Sequence, residues 1–217
     1  MDEPPTSNEE LTTRIPEEAD LVALCRTLND LGARYVVIGG FAMILAGFAR
    51  ATADVDLLID TSLDNEALVY KALEILPDKA VRELKPGETS QYGLVRVGDE
   101  IMVDLIKSAS GIEYAEASKE IAVREVQGVP IPFAFPRFLW RTKKPSRRPK
   151  HAEDLMFLQQ YFREHREEPT HNLSVMRTSV KCSGWICNAR LNAFAKSKAC
   201  ASDFPIAASA RCCAMPR

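Results

Sequence analysis

Long apolar runs are missing from this chain: none approaches the roughly 20 consecutive residues that a membrane-spanning helix requires. Its first residues, Met1-Asp2-Glu3-Pro4-Pro5, have neither the basic nor the apolar stretch of a signal peptide, so the cytoplasm is the expected compartment. Histidine is scarce, with three in 217 residues, and no Cys-x-x-Cys pair occurs, which argues against a zinc site. Of the six cysteines only Cys25 falls in the periodic part of the chain; Cys182, Cys187, Cys200, Cys212 and Cys213 lie beyond it. The G-x-G-x-x-G spacing of dinucleotide sites and the lysine of a P-loop are both absent. Acidic residues are nearly lacking from 170–217, where seven Lys/Arg stand against one Asp; the net −2 of the whole chain therefore leaves −8 on residues 1–169. An acidic body argues against broad nucleic-acid binding, which needs an extended basic surface. It does not argue against a nucleotide chelated to a metal, because the cation inverts the local field.

What is present is a core: 46% hydrophobic residues over this length allow one well-filled domain plus an appendage. The chain is organised around residues 35–60. The run Tyr35 to Ile38 is short, β-branched and closed by Gly39-Gly40, which suits a buried strand followed by a turn. Phe41 to Phe48 then reads as a short buried helix, whose free N-terminal N–H groups beside the glycines suit an anion. Val55, Leu57 and Ile59 alternate with Asp54 and Asp56, so the two-residue period of a strand sends both carboxylates to one face. Side by side they repel, and a divalent cation bridging them removes that cost. An EF-hand reading fails, because Val55, Leu57 and Leu58 fill positions that should be polar or glycine.

Around this centre the chain reads in order. Residues 1–16 are polar and expected to be flexible. Leu21, Leu24, Cys25, Leu28 and Leu31 recur at helical spacing from Pro16 to Leu31, with Gly32 as the stop. Thr61 or Ser62 caps a helix running to Leu76 with Leu68, Ala72, Leu73 and Leu76 inward, and residues 78–90 read as a loop or a poorly defined strand. Tyr92–Val97 and Ile101–Ile106 flank Gly98-Asp99 as an antiparallel hairpin. In the second of these, Asp104 is a lone charge among Met102, Val103, Leu105 and Ile106, unfavourable unless something pairs it. Glu120–Val126 and Val129–Phe135 read as strands, Phe138-Leu139-Trp140 opens a helix, and Ala152–His165 is a second one. Between those helices lies a basic turn with Lys143, Lys144, Arg147, Arg148 and Lys150. Residues 169–217 show no periodicity and are expected to form a poorly structured tail, the product of a frameshift, a fused segment or a partner-binding extension.

The order Gly39-Gly40, thirteen intervening residues and Asp54-Val55-Asp56, with Arg50 and Thr52 ahead of the first aspartate, resembles the nucleotidyltransferase superfamily of polymerase β type. More narrowly it is similar to the small bacterial nucleotidyltransferase-like proteins of abortive-infection and toxin–antitoxin systems and to the aminoglycoside nucleotidyltransferases. The resemblance covers residues 20–164 and implies an α/β (α+β) fold, with a small mixed twisted sheet flanked by helices over 17–168 and a C-terminal helical part over 136–168. It implies transfer of a nucleoside monophosphate from an NTP, ATP among them, to a hydroxyl of an RNA, a protein or a small molecule. Asp54, Asp56 and Asp104 would be both the catalytic carboxylates and the ligands of Mg²⁺ or Mn²⁺. Gly39, Gly40, Arg50, Thr52, Arg148 and Lys150 would bind the nucleotide.

Two residues depart from the pattern: Gly40 stands where serine is common, and His151 follows Arg148-Pro149-Lys150 where an acid is usual. Plainer readings exist for each signal. The glycines suit any strand-to-helix turn, Arg50 and Thr52 suit a helix end, the basic turn suits a solvated loop, and His151 suits a helix start. A glycosyltransferase-like Asp-x-Asp would leave the glycine pair and Asp104 unexplained. The competing reading is a catalytically inactive relative that acts as a partner in a toxin–antitoxin or other protein complex.

Because residues 170–217 lack periodic apolar positions, truncation after Glu168 is expected to preserve cooperative thermal unfolding; a broad, non-cooperative melt of the shortened protein would show that the tail belongs to the core.

Overall fold

The leucines spaced at helical intervals before Gly32 form α1 (Glu18–Asp30), which buries Leu21, Leu24, Cys25 and Leu28. The structure is a computed structural model that describes residues 13–146, 149–169, 179–182 and 185–188, with Lys150 and the last two segments described by backbone alone. After α1 come β1 (Tyr35–Val37), α2 (Gly39–Leu45), β2 (Asp54–Ile59) and α3 (Leu63–Leu73). A 3₁₀ turn (Ala80–Glu83) and α4 (Glu88–Tyr92) follow, then β3 (Leu94–Gly98), β4 (Met102–Ile106), β5 (Ser108–Ala109), β6 (Ile112–Glu113) and α5 (Tyr114–Ala117). The hairpin β7 (Ile121–Val126) and β8 (Val129–Ala134) leads into α6 (Pro136–Lys143) and α7 (Lys150–His165).

Six of the strands make one mixed sheet in the order β3-β4-β2-β1-β8-β7, flanked by helices. β2 runs antiparallel to β1 and parallel to β4, and β3 closes the edge antiparallel to β4. The pleat assigns the faces. Tyr35 points to α1, where its hydroxyl donates to Asn29 Oδ1 at 2.9 Å; its cross-strand partner Ile59 shares that face, and so, by alternation, do Leu57 and Val55. Asp54 and Asp56 therefore point to the opposite face, toward α6 and α7.

Several expectations need revision. α2 starts at Gly39 rather than Phe41, so the glycines are its first turn. Residues 78–90 are a 3₁₀ turn and a short helix, not a loop or strand. The inner face of α3 includes two polar residues, Asn65 and Glu66, both fully buried, whereas Leu68 is only half-buried. Arg14, in the stretch expected to be flexible, pairs with Asp20 at 2.7 Å and Glu100 at 2.8 Å. The chain divides into two units, 1–172 and 173–217. Within the second, where no element was expected, β9 (Ser179–Cys182) and β10 (Trp185–Asn188) pair antiparallel. Among the described residues, no helix is long and apolar enough to cross a membrane.

Asn65 shows how α3 is fastened to the sheet. Its carboxamide accepts from the Arg34 N–H at 2.6 Å and donates to the carbonyls of Arg34 at 3.0 Å and Asp60 at 2.7 Å, closing the entry to β1 against the exit of β2. Asn65→Ala would take this partner from the Arg34 N–H and the Asp60 carbonyl, while the Arg34 carbonyl keeps the Asp60 N–H at 3.2 Å, and a loss of about 1–3 kcal/mol in urea-induced unfolding is expected; a loss below about 0.5 kcal/mol would mean that these groups find other partners.

Candidate active site

Adjacent strands put one residue each into a row across the sheet: Asp56 on β2 lies opposite Asp104 on β4, which lies opposite Arg96 on β3. Asp54, two residues before Asp56, shares their face. One oxygen from each of Asp54, Asp56 and Asp104 lies within 4.8 Å of the others. The register that brings them together is held from behind, where Val55, Leu57, Val103 and Leu105 are completely buried. A slip of one residue would exchange these apolar side chains for the carboxylates.

Asp56 sits over the glycine pair. Gly39 has φ +63°, and a Cβ there would overlap the Asp56 carboxylate; a Cβ on Gly40 would overlap the Thr52 hydroxyl. The Gly40 N–H donates to Asp56, so one N–H of this first turn of α2 is engaged by a carboxylate of the chain itself. Burial, and then the charges of Asp54 and Asp104, push the Asp56 carboxyl up to about 6, with the Gly40 N–H and the Lys143 ammonium pulling the other way. Thr52, itself buried, donates its hydroxyl to the Asp54 carbonyl at 3.2 Å and reaches the Asp54 carboxylate at 3.4 Å.

Asp104 is not the lone charge that its sequence neighbours suggest. Arg96 grips it with a two-pronged fork, Nε to Oδ1 at 2.7 Å and Nη2 to Oδ2 at 2.7 Å, and the same Nη2 lies 3.8 Å from Asp54 Oδ2. Sequence reading overlooked Arg96, although the hairpin about Gly98-Asp99 carries the signal: pairing Gly98 with Met102 fixes Arg96 opposite Asp104.

Beside the carboxylates lies a cavity of about 290 Å³ whose walls include Arg50, Thr52, Lys143, Ser146, His151 and Asp154. Arg50 lines it, and its Nη1 donates to Asp154 Oδ1 on α7 at 2.6 Å. Lys143, at the end of α6, pairs with Asp154 Oδ2 at 2.8 Å. Burial alone would raise the Asp154 carboxyl; the Lys143 and Arg50 cations outweigh it and hold the group below the usual carboxylate range. Of the basic turn, Lys143 is therefore the described cation at the cavity, while Arg148 and the side chain of Lys150 lie outside the described residues. Asp60, just past the end of β2, pairs with Arg34 at 2.9 Å.

Three carboxylates converging on one point make an all-oxygen donor set that fits a hard divalent cation such as Mg²⁺ or Mn²⁺. The Asp56 carboxyl is raised first by its burial and then by this crowding with Asp54 and Asp104.

No family model matches the chain, and no curated protein matches it. Among solved structures it is similar to an antigenic nucleotidyltransferase-like protein from Paracoccidioides brasiliensis, at 17% identity, with 66% of this chain and 74% of that one covered and a TM-score of 0.41. It is also similar to a putative nucleotidyltransferase from Thermotoga maritima, at 16% identity, 71% and 99% coverage and a TM-score of 0.44. A lincomycin-bound lincosamide antibiotic adenylyltransferase matches at 11% identity, 68% and 99% coverage and a TM-score of 0.42. At this level of likeness, only the side chains themselves argue for a chemistry.

A group whose folded-state value lies above its ordinary 3.8 contributes stability that is complete below about pH 4 and lost as the pH rises through about 6. Metal-free Asp56→Asn escapes that loss. It should melt a few degrees above the wild type at pH 8, a gain of about 1–2 kcal/mol, with the gap closing at pH 4. Thermal melts in chelator at the two pH values check this; a gap of equal size at both would mean that Asp56 is not under electrostatic pressure.

Proposed function

We propose that this chain is a metal-dependent nucleotidyltransferase that moves a nucleoside monophosphate from an NTP to a hydroxyl acceptor, with release of pyrophosphate. The observation that carries this reading is the convergence of Asp54, Asp56 and Asp104, the first two of which line a cavity also walled by Arg50 and Lys143. Bound there, Mg²⁺ or Mn²⁺ would neutralise triphosphate charge and make an acceptor hydroxyl easier to deprotonate. Asp54 and Asp56 would be the ligands, and Asp104, whose oxygens each keep a lone pair beside the Arg96 fork, would accept the hydroxyl proton.

The remaining roles belong to residues around them. Thr52 fixes the orientation of Asp54. Gly39 and Gly40, having no side chains, let Asp56 and Thr52 close in and leave the backbone approachable by phosphate oxygens. Lys143 and Arg50, held in place by Asp154, supply cationic contacts to the triphosphate, and Arg148 and Lys150 extend that positive charge. Acceptors that suit the site are small molecules or a protein side chain; the net −8 on residues 1–169 weighs against a long nucleic acid. A second reading, a catalytically inactive partner in a toxin–antitoxin or similar complex, is favoured by one observation, the neutralisation of Asp104 by Arg96.

Incubating the protein with each labelled NTP and Mg²⁺ in a cell extract tests the reading. Transfer of label from at least one NTP is expected, falling about 100-fold or more in Asp54→Asn, the usual scale for removing one electrostatic contributor to a transition state. No transfer from any NTP, or transfer undiminished in the variant, overturns it.

A further inference from the structure

We propose that Arg96 is a resident cation of the carboxylate site, standing where a second metal ion would bind, so that the nucleotide-free site takes one divalent cation, between Asp54 and Asp56. The inference rests on the reading of Asp54, Asp56 and Asp104 as a metal site. Its starting point is geometric. The Arg96 fork engages both oxygens of Asp104 at 2.7 Å, and the same guanidinium edge lies 3.8 Å from Asp54. It therefore spans the two carboxylates on the side of the cluster away from Asp56.

Backbone register sets this placement. Arg96 and Asp104 are directly paired residues of β3 and β4, so their side chains leave the sheet together on one face. Asp104 is 4% exposed and has no other cation within ion-pair distance among the described residues; without the guanidinium it would be a buried, uncompensated charge. Arginine does not lose its proton at any ordinary pH, so this cation is always present, unlike a dissociable ion.

Charge balance leads to the same count. Three carboxylates and one guanidinium leave two negative charges, which one dication cancels. A second dication would meet a site already neutral, with the guanidinium repelling it and both oxygens of Asp104 engaged. Arg96 acts here through Asp104 and is a positioning residue: it holds that carboxylate toward β3 and keeps it from serving a second ion.

The full chain, stripped with chelator and titrated with Mn²⁺ alone, tests this by electron paramagnetic resonance of the free ion, with Asp54→Asn as the blank. The wild type should bind one Mn²⁺. Arg96→Gln should bind two, or bind the first on the order of tenfold more tightly, as removal of a like charge a few ångströms away requires. Arg96→Lys, which keeps the charge, should retain the single ion. Two ions in the wild type overturn the inference whether or not any variant folds. Equal number and affinity in the wild type and Arg96→Gln also overturn it, while leaving the metal reading intact. No binding by any form overturns the metal reading and this inference with it.

Discussion

Three carboxylates within 4.8 Å of one another repel, and the rest of this face exists to make that tolerable. From behind, Val55, Leu57, Val103 and Leu105 lock β2 and β4 in register, so the strands cannot slip to separate the charges. From the side, the Gly40 N–H binds Asp56 and the Thr52 hydroxyl binds Asp54. From the edge strand, Arg96 takes up Asp104. The compensation is incomplete at Asp56, whose carboxyl remains raised by burial and by the charges of Asp54 and Asp104, a cost that a bound dication would offset.

The second ionic cluster, Asp154 with Arg50 and Lys143, belongs to the same design. An isolated buried carboxylate is costly; here two cations at 2.6 and 2.8 Å offset the desolvation. The result ties three separate parts of the chain, the loop before β2, the end of α6 and the body of α7, to one point beside the cavity. Arg50 and Lys143 are thereby held as fixed features of the wall instead of mobile surface cations, which reduces the conformational entropy lost when they meet an anion.

How far the sequence was legible follows from which interactions were local. The mixed sheet flanked by helices was readable, because alternation in β2, the apolar run of β4 and helical spacing in α1 and α7 are properties of short windows. The two short turns in 78–90 were not. Asp99 accepts the N–H groups of Asp78 and Ala80, and buried Glu66 accepts those of Gly87 and Ser90, so distant carboxylates shape a segment whose own residues carry no periodicity. The same distinction divides the site. Asp54 and Asp56 share a face by local parity, whereas the pairing of Arg50 with Asp154, 104 positions away, is tertiary. Arg96 lies between these extremes: the hairpin register contained its partner, but a charge on an exposed edge strand reads as ordinary surface until that register is worked out residue by residue.

The charges lining the site also decide the order in which ligands are welcome. Asp54, Asp56, Asp104 and Asp154 stand against Arg50, Lys143 and Arg96, leaving one net negative charge, on a body that is itself acidic. Each cation already has a carboxylate partner, so a bare triphosphate entering the cavity must compete for contacts and meets a repulsive field. A dication alone finds the opposite situation, three converging oxygens and unrelieved repulsion at Asp56. With the dication in place the local sign reverses, and Arg50 and Lys143 become assets to a phosphate instead of counterions already engaged. On the proposed reading the site would receive a metal first and phosphate through that metal, a logic that favours a compact chelated nucleotide over a long polyanion.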